Sequence, residues 1–234
     1  MTGAYNPKFM LHTKTVEAGA LALIRQFMRD QQMIEFYLVG GAALSMLMGH
    51  RKAASVDLFS RSQFDVEGLS YHLERMYKAT CIRLYKKGLC CIIRDTKVDI
   101  LTHDYERMHF CVEEDGIRME SMEDLGAIKL NDIVSRGFRL KDFVDFYFLL
   151  EYYPLDYFLK TYVKKYPQFN RMMATAALQY YKDIRPATIQ YMGKSITAVD
   201  FGRRFADAVR NPRKVFGREM VSEGGTGIGD GEVV

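Results

Sequence analysis

The sequence has few cysteines and lacks both a long hydrophobic run and a signal peptide. Its four cysteines form no CxxC pair, so we predict reduced thiols buried in strands and no cysteine-based metal site. The longest uncharged apolar stretch, Phe36 to Gly49, has 14 residues interrupted by glycines, whereas a membrane helix needs about 20. The N-terminus shows no basic-then-apolar run with a cleavage site. These absences predict a cytoplasmic protein without a membrane span.

A strong net charge is also missing. The formal charge is +4 and the isoelectric point is near 8.7, which is compatible with an anionic substrate and weaker than the basic patches of typical nucleic-acid-binding proteins. Apolar residues make up 48% and charged residues 26% of the 234 residues, close to the globular average. The composition therefore predicts a folded chain of one large or two small domains.

Hydrophobic periodicity divides the chain into a strand-rich half and a helical half. The first half is predicted to hold helices at 17–29, 42–49 and 64–79 and strands at 34–39, 55–59, 81–85, 89–94 and 97–101. The second half is predicted to hold helices at 121–137, 140–152, 155–166, 170–181 and 198–209. We therefore predict an α+β fold. Residues 1–120 form a mixed sheet with flanking helices, 121–215 a helical half that completes the active-site cleft, and 216–234 a flexible glycine-rich tail.

Gly40 and Gly41 lie between a predicted strand and a predicted helix. Glycine lets the backbone approach a phosphate closely, and the first amides of a helix have no intrahelical partners. A glycine turn without a ligand is the commoner case. The pair therefore indicates a phosphate site only in combination with other residues.

Two aspartates supply that combination. Asp57 and Asp99 each stand between two apolar residues of a predicted strand, so their carboxylates are expected on the face opposite the core, and Ser55 shares the face of Asp57. Mg²⁺ prefers oxygen ligands and commonly uses one or two protein carboxylates while nucleotide phosphates supply the rest. Carboxylates beside the glycine turn therefore predict a site for Mg²⁺ and a nucleoside triphosphate. Solvated strand aspartates are the alternative.

The segment KLNDIVSRGFRLKDFVDF carries charges on two predicted helices. Lys129 and Arg136 share a face of the first helix, and Asp142 and Asp145 share a face of the second. A cation near a polyphosphate stabilises the charge that develops in nucleotidyl transfer. The alternative is a salt-bridged helical hairpin in which Lys141 pairs with Asp145.

The chain resembles the AbiEii/AbiGii nucleotidyltransferases, a branch of the DNA polymerase beta superfamily, from about residue 10 to about residue 214. The similarity is carried by four segments: FYLVGGAALSMLMGHR, SVDLF, KVDILTHDY and LGAIKLNDIVSRGFRLKDFVDFYFLL. The resemblance implies a nucleotidyltransferase fold and an enzyme that uses a nucleoside triphosphate with Mg²⁺. In several members the acceptor is a tRNA end and the enzyme is the toxin of a toxin–antitoxin or phage-defence pair.

Carried onto this sequence, the resemblance implies roles for named residues. Asp57 and Asp99 would be metal-binding and catalytic, and Lys129, Asp142 and Asp145 would be catalytic residues on the two helices. Gly40, Gly41, Ser55 and Arg136 would bind the nucleotide. The implied partners are a nucleoside triphosphate, tRNA or another RNA, and a cognate antitoxin protein, with no membrane.

Ser55 stands where the family has the first carboxylate of an Asp-x-Asp pair. A hydroxyl is a neutral and poorer Mg²⁺ ligand, and losing even an outer supporting residue of a metal site commonly costs about 10- to 100-fold. Three outcomes are open: an impaired enzyme, a site rescued by Asp65 or Asp104, or a metal bound only together with the nucleotide. Ala42 also replaces a threonine that is frequent in the family, which removes one hydroxyl from the phosphate turn.

A second class of function competes with the enzyme. The altered carboxylate set is compatible with a catalytically impaired nucleotide- or RNA-binding relative that has a regulatory role, and a purely structural adaptor is a third reading. His50 and His103 have no second ligand nearby in the sequence. We therefore predict that His50 is a surface or helix-end histidine, and we assign His103 no role.

Overall fold

In the part of the chain that the structure describes, the strands form one seven-stranded sheet and one two-stranded pair. The computed structural model describes residues 10–137, 139–184, 186–217 and 230–231. The strands are β1 (Phe36–Val39), β2 (Val56–Ser60), β3 (Thr80–Tyr85), β4 (Gly88–Ile93), β5 (Thr96–Thr102), β6 (Val112–Glu114), β7 (Ile117–Met119), β8 (Ile189–Gln190) and β9 (Asp230–Gly231). The large sheet has the order β3-β4-β5-β2-β1-β7-β6.

The large sheet is mixed. β2 runs parallel to β5 and β1 parallel to β7, and the other neighbours are antiparallel. Because β1 and β2 are antiparallel, the end of β1 lies beside the beginning of β2, and Val39 pairs with Asp57. Whatever follows β1 in the chain is therefore placed next to Asp57.

Side chains alternate across the central strands as predicted. In β2 the residues Val56 and Leu58 are fully buried, whereas Asp57 between them is half-buried on the opposite face. β5 repeats the pattern with Asp99. Helices α1 and α3 contact strands of this sheet, so one face is covered by the apolar core and the other carries the polar residues.

Eight α-helices accompany the strands in the described part of the chain. They are α1 (Ala18–Arg29), α2 (Gly40–Met48), α3 (Val66–Tyr77), α4 (Met122–Arg136), α5 (Leu140–Leu149), α6 (Leu155–Lys165), α7 (Arg171–Gln179) and α8 (Ala198–Arg210). Single 3-10 turns occur at Thr13–Thr15, Gln31–Met33 and Tyr180–Asp183. Among the described helices, none has the length and apolar character needed to cross a bilayer. The predicted α+β class, a mixed sheet with flanking helices followed by a helical half, is confirmed.

Helix α4 is the centre of the helical half. It begins as predicted at Ser121, whose hydroxyl accepts a hydrogen bond from the backbone N–H of Asp124, and it ends at Gly137 with φ +79°. It contacts α2, α5, α6 and α7. A Cβ on Gly126 would lie 2.1 Å from the ring of Phe158 in α6. This close approach packs α6 directly against α4, the helix that follows the large sheet.

Two short strand pairs were not predicted. β6 and β7 form a hairpin at one edge of the large sheet. β8 pairs with β9, and the carbonyl of Gln190 accepts a hydrogen bond from the backbone N–H of Lys52. The predicted flexible tail, 216–234, lies outside the described residues except for 216–217 and the β9 pair. The segment around 190 therefore packs beside the chain that follows α2.

The cysteines are free, and burial differs among them. Cys91 is buried, and Cys90 and Cys111 are half-buried. Cys81 is exposed, so the prediction of buried thiols is wrong for this residue. Cys81 lies on the edge strand β3, whose residues are mostly exposed, and it has a positive φ of 52° at an irregularity in the β3–β4 pairing between residues 80 and 83.

Candidate functional site

The glycine turn joins β1 directly to α2, as predicted. Gly40 has φ +67°, a conformation that costs glycine little because it has no Cβ. A Cβ on Gly40 would lie 2.7 Å from Oδ2 of Asp57, and a Cβ on Gly41 would lie 2.5 Å from Nη2 of Arg51. Each glycine therefore leaves room for one charged side chain at the beginning of α2.

Asp57 and Asp99 are direct neighbours across the sheet. They are register partners on the parallel strands β2 and β5, and both are half-buried on the polar face. Lys97 lies on the same face of β5 and forms an ion pair with Asp99. Burial, and then the charge of Asp99, raises the pKa of Asp57. A carboxylate whose ionisation is disfavoured by burial and by a neighbouring carboxylate favours a cation beside it.

Ser55 lies beside this pair, as its predicted face requires. Its hydroxyl donates a long hydrogen bond of 3.5 Å to Oδ2 of Asp57. The two carboxylates considered as replacements lie elsewhere. Asp65 caps α3 by accepting a hydrogen bond from the backbone N–H of Gly68, and Asp104 pairs with Lys87. Neither lines the cavity described next, so neither residue is placed to supply the missing carboxylate, and of the three open outcomes rescue by Asp65 or Asp104 is disfavoured.

A cavity of about 710 Å³ opens over the carboxylate pair. It lies between the polar face of the sheet, the beginning of α2, and helices α4 and α5. The cavity collects eight of the nine predicted site residues: Gly40, Gly41, Ser55, Asp57, Asp99, Lys129, Arg136 and Asp142. Small-molecule sites typically have volumes of roughly 300–1,000 Å³. The space is therefore adequate for a nucleotide.

Asp145, the ninth predicted residue, lies behind the cavity wall and has no solvent exposure. Its two carboxylate oxygens accept hydrogen bonds from Nε and Nη2 of Arg51, at 2.7 and 2.8 Å. Nζ of Lys129 is 3.0 Å from Asp145 and 2.7 Å from Asp142. Burial would raise the pKa of Asp145, but Arg51 and Lys129 hold it well below the usual range. Asp145 therefore organises the cations and does not face the cavity.

The ion pairs of Asp145 test the alternative interpretation of α4 and α5, a salt-bridged helical hairpin. Lys129 links α4 to Asp142 and Asp145 of α5, so a salt-bridged hairpin is present. Lys141, however, is exposed at the cavity, whereas Asp145 is fully buried. The alternative pairing of Lys141 with Asp145 is therefore wrong, because the carboxylate of Asp145 is buried and engaged by His50, Arg51 and Lys129.

Neither His50 nor His103 is an exposed surface residue. His50 follows α2 and is buried, with Nε2 2.8 Å from Oδ1 of Asp145. Burial lowers the pKa of His50 and outweighs the bond to Asp145, so the ring is neutral near pH 7. The ring of His103 stacks on Phe59 with centroids 4.6 Å apart. His50 is thus a helix-end residue, which is one of the two predicted alternatives, and it is buried.

Arg51 and Asp132 also line the cavity, although sequence analysis assigned neither a role. Arg51 immediately follows His50, and its side chain is only 4% exposed. Asp132 lies one turn after Lys129 on α4, and Oδ1 of Asp132 is 3.2 Å from Nε of the exposed Arg136. The helical spacing of three residues from Lys129 was a signal for Asp132. Arg51 had no comparable local signal, because its partner Asp145 is distant in the chain.

The residues present fit a hard divalent cation that arrives with a nucleotide. Asp57 and Asp99 offer two carboxylates, which is the number that Mg²⁺ commonly takes from protein when phosphates complete its coordination. Within the described residues there is no group of three or more acidic, histidine or cysteine side chains placed to hold a metal. The donor set therefore favours binding of the metal and the nucleotide together.

Comparison with known proteins gave similarities at low sequence identity. No protein-family model matches the chain. The uncharacterized protein aq_aa25 of Aquifex aeolicus is 26% identical over 157 residues, which are 64% of this chain and 76% of that protein.

Two solved structures illustrate the structural similarity. An antigenic nucleotidyltransferase-like protein from Paracoccidioides brasiliensis is 14% identical, with 69% of this chain and 94% of that protein covered and a TM-score of 0.44. The antibiotic-resistance factor ANT(2'')-Ia is 14% identical, with 69% and 95% covered and a TM-score of 0.48. The first of these two proteins is named nucleotidyltransferase-like. The AbiEii/AbiGii assignment stays a prediction.

Proposed function

We propose that the chain is a Mg²⁺-dependent nucleotidyltransferase that transfers a nucleotide from a nucleoside triphosphate to an acceptor hydroxyl. The observation that carries the proposal is the register pair Asp57–Asp99 on neighbouring parallel strands, beside Gly40, in one cavity. Carboxylates on adjacent strands next to a helix N-terminus place a metal-binding group and a phosphate-binding group within one substrate's length. This arrangement suits a metal-bound triphosphate.

The chemistry follows from the charges around the cavity. The acceptor oxygen attacks the α-phosphorus in line, the bond from that phosphorus to the bridging oxygen breaks, pyrophosphate leaves, and the hydroxyl proton passes to solvent. A bound Mg²⁺ would supply charge stabilisation at the phosphoryl oxygens. Asp57 and Asp99 would hold that ion, and the glycine turn would hold the phosphates. Lys129, which lines the cavity, adds positive charge on the opposite wall.

The rim of the cavity supports a nucleic-acid acceptor. Four exposed cations line it: Lys97, Arg136, Arg139 and Lys141. Contacts of lysine and arginine with phosphates contribute much of the affinity of proteins for nucleic acids. We therefore propose an RNA end, such as that of tRNA, as the acceptor. A toxin role with a cognate antitoxin partner rests on the motif resemblance alone and belongs to the same proposal.

Ser55 favours a second candidate function. Since the first carboxylate of the motif is absent and neither Asp65 nor Asp104 replaces it, the chain also suits a nucleotide- or RNA-binding relative with impaired catalysis. The two functions share the same binding site. They differ in whether two carboxylates hold the metal firmly enough for transfer.

Radiolabel transfer separates them. Purified protein is incubated with Mg²⁺, total RNA and each α-labelled nucleoside triphosphate, in parallel with Asp57→Asn and Ser55→Asp. We expect label on RNA with the unsubstituted protein and its loss in Asp57→Asn. Label that appears only with Ser55→Asp would favour the impaired relative, and absence of label on RNA with every variant would contradict the transferase.

A further inference from the structure

Arg51 occupies an unusual place for a buried cation. Its guanidinium lies at the beginning of α2, against Gly41. The N-terminal end of a helix carries partial positive charge, so a cation there is unfavourable unless an anion offsets it. The side chain is nevertheless held there, only 4% exposed, while lining the cavity.

Asp145 fixes the orientation of Arg51. Nε and Nη2 donate to its two carboxylate oxygens in a bidentate geometry, and Nη1 donates to the backbone carbonyl of Lys52 at 2.9 Å. A guanidinium has five N–H donors. The bonds of Arg51 seen within the described residues use three of them, so donors remain at the end of the group that lies against the turn. Lys129 acts from the other side by contacting Asp145.

We propose that Arg51 is the side chain that binds the triphosphate at the glycine turn, with Asp145 and Lys129 as positioning residues. The inference rests on the proposed nucleotide site and adds to it the identity of the phosphate-binding cation. It also gives Gly41 a specific role: absence of a Cβ allows the guanidinium to lie next to the free amides of α2. Guanidinium and amides together then present donors to one polyphosphate.

The test measures binding, so it is independent of turnover. Affinities for ATP, GTP, CTP and UTP, and for the four monophosphates, are determined by calorimetry in Mg²⁺. Arg51→Lys keeps the buried charge but loses the planar donor group. We expect it to lower the affinity for the preferred triphosphate about 10- to 100-fold, the effect of losing charge-assisted hydrogen bonds, and to change monophosphate affinity much less. Arg204→Lys is the matched control, since Arg204 is an arginine with only 11% side-chain exposure that pairs with Glu151 outside the cavity.

Gly41→Ala provides a second variant that removes no charge. The nearest atoms to the added methyl group belong to the guanidinium of Arg51, the closest at 2.5 Å, and Gly41 does not have a positive φ. The methyl group therefore displaces the guanidinium without straining the backbone. We expect the same selective loss of triphosphate affinity, and little further loss when Gly41→Ala is combined with Arg51→Lys. Gly193→Ala is its control, because a Cβ at Gly193 meets nothing within 4 Å.

Each outcome has a defined meaning. Unchanged triphosphate affinity in Arg51→Lys and Gly41→Ala, with tight binding by the unsubstituted protein, would overturn the role of Arg51 and leave the proposed function standing. An equal loss for triphosphates and monophosphates would assign Arg51 to the structure of the cavity and would also overturn the inference. No binding of any nucleotide by the unsubstituted protein would contradict the proposed function and the inference together. If Arg51→Lys does not fold, Gly41→Ala alone decides between these results.

Discussion

Replacing Ser55 by aspartate should make the stability of the protein depend strongly on divalent metal. The Ser55 hydroxyl lies 3.5 Å from a carboxylate oxygen of Asp57, and both residues face the cavity. A carboxylate at position 55 would join Asp57 and Asp99 in one cluster. Without a metal the new charge repels its neighbours, and with a metal it becomes an additional ligand. The same substitution therefore has opposite effects in the two conditions.

The magnitudes follow from the spacing. Two like charges about 4 Å apart repel by about 4 kcal/mol at an effective dielectric constant near 20. Ser55 and Asp57 are only half-buried, so solvent screening reduces the cost to about 1 kcal/mol. With metal, a gain of at least about 10-fold in affinity adds about 1.4 kcal/mol of stability at saturation. We therefore expect destabilisation in EDTA and full compensation in saturating metal.

Thermal unfolding in EDTA and across a Mn²⁺ titration measures both effects. A change of 1 kcal/mol corresponds to about 2–4 °C in Tm for a chain of this size, so Ser55→Asp should melt about 2–4 °C lower in EDTA and regain that difference with Mn²⁺. Ser55→Asn, similar in size but uncharged, is the control and should show neither change. Equal responses of the unsubstituted protein, Ser55→Asp and Ser55→Asn to Mn²⁺ would refute the reasoning.

Three further predictions concern the cluster, the packing and the carboxylate pair. Asp145→Asn should lower the free energy of unfolding by about 3–5 kcal/mol in urea, because two buried cations lose a carboxylate. Asp207→Asn is the control, since Asp207 is only half-buried and pairs with the exposed Lys214, and a loss below about 1 kcal/mol for Asp145→Asn would contradict the account. Gly126→Ala should lower the free energy of unfolding by about 1–3 kcal/mol in the same assay, because the new Cβ would lie 2.1 Å from the Phe158 ring. An unchanged urea midpoint would show that α4 and α6 can move apart without loss of stability. Asp57→Asn should stabilise the metal-free protein at pH 7 but not near pH 3. Burial raises the pKa of Asp57, so the penalty for ionising it is absent below the unfolded pKa, grows as pH rises through the folded pKa, and persists above it; a stabilisation independent of pH would argue against a raised pKa.

Local patterns were sufficient to predict the elements that carry the carboxylates. Alternation around Asp57 and Asp99 fixed the face of each side chain, because the side-chain period of a strand is two. The glycine turn and the Ser121 cap are likewise encoded by adjacent residues. For α3, in contrast, the helical spacing of Leu69, Leu73 and Met76 predicts all three on the buried side, but Met76 is 67% exposed. The apolar stripe of α3 therefore extends beyond the part of the helix that is packed against the core.

Partners that are distant in the chain could not be predicted. Arg51 and Asp145 are 94 residues apart, and only the packing of α5 behind the glycine turn brings them together. Spacing of four residues suggested Lys141 as the partner of Asp145, but that rule applies to exposed helix faces, and Asp145 is on a buried one. The β6–β7 hairpin escaped prediction because its strands have three residues each, and β6 contains two glutamates.

The central claim is that Asp57 and Asp99 together hold a divalent ion with a nucleoside triphosphate at the glycine turn. Electron paramagnetic resonance of Mn²⁺, titrated into the protein with and without each triphosphate, measures that binding directly. We expect one tightly bound Mn²⁺ per chain in the presence of the preferred triphosphate and its loss in both Asp57→Asn and Asp99→Asn. Mn²⁺ binding that is independent of nucleotide and unchanged in both variants would contradict the claim.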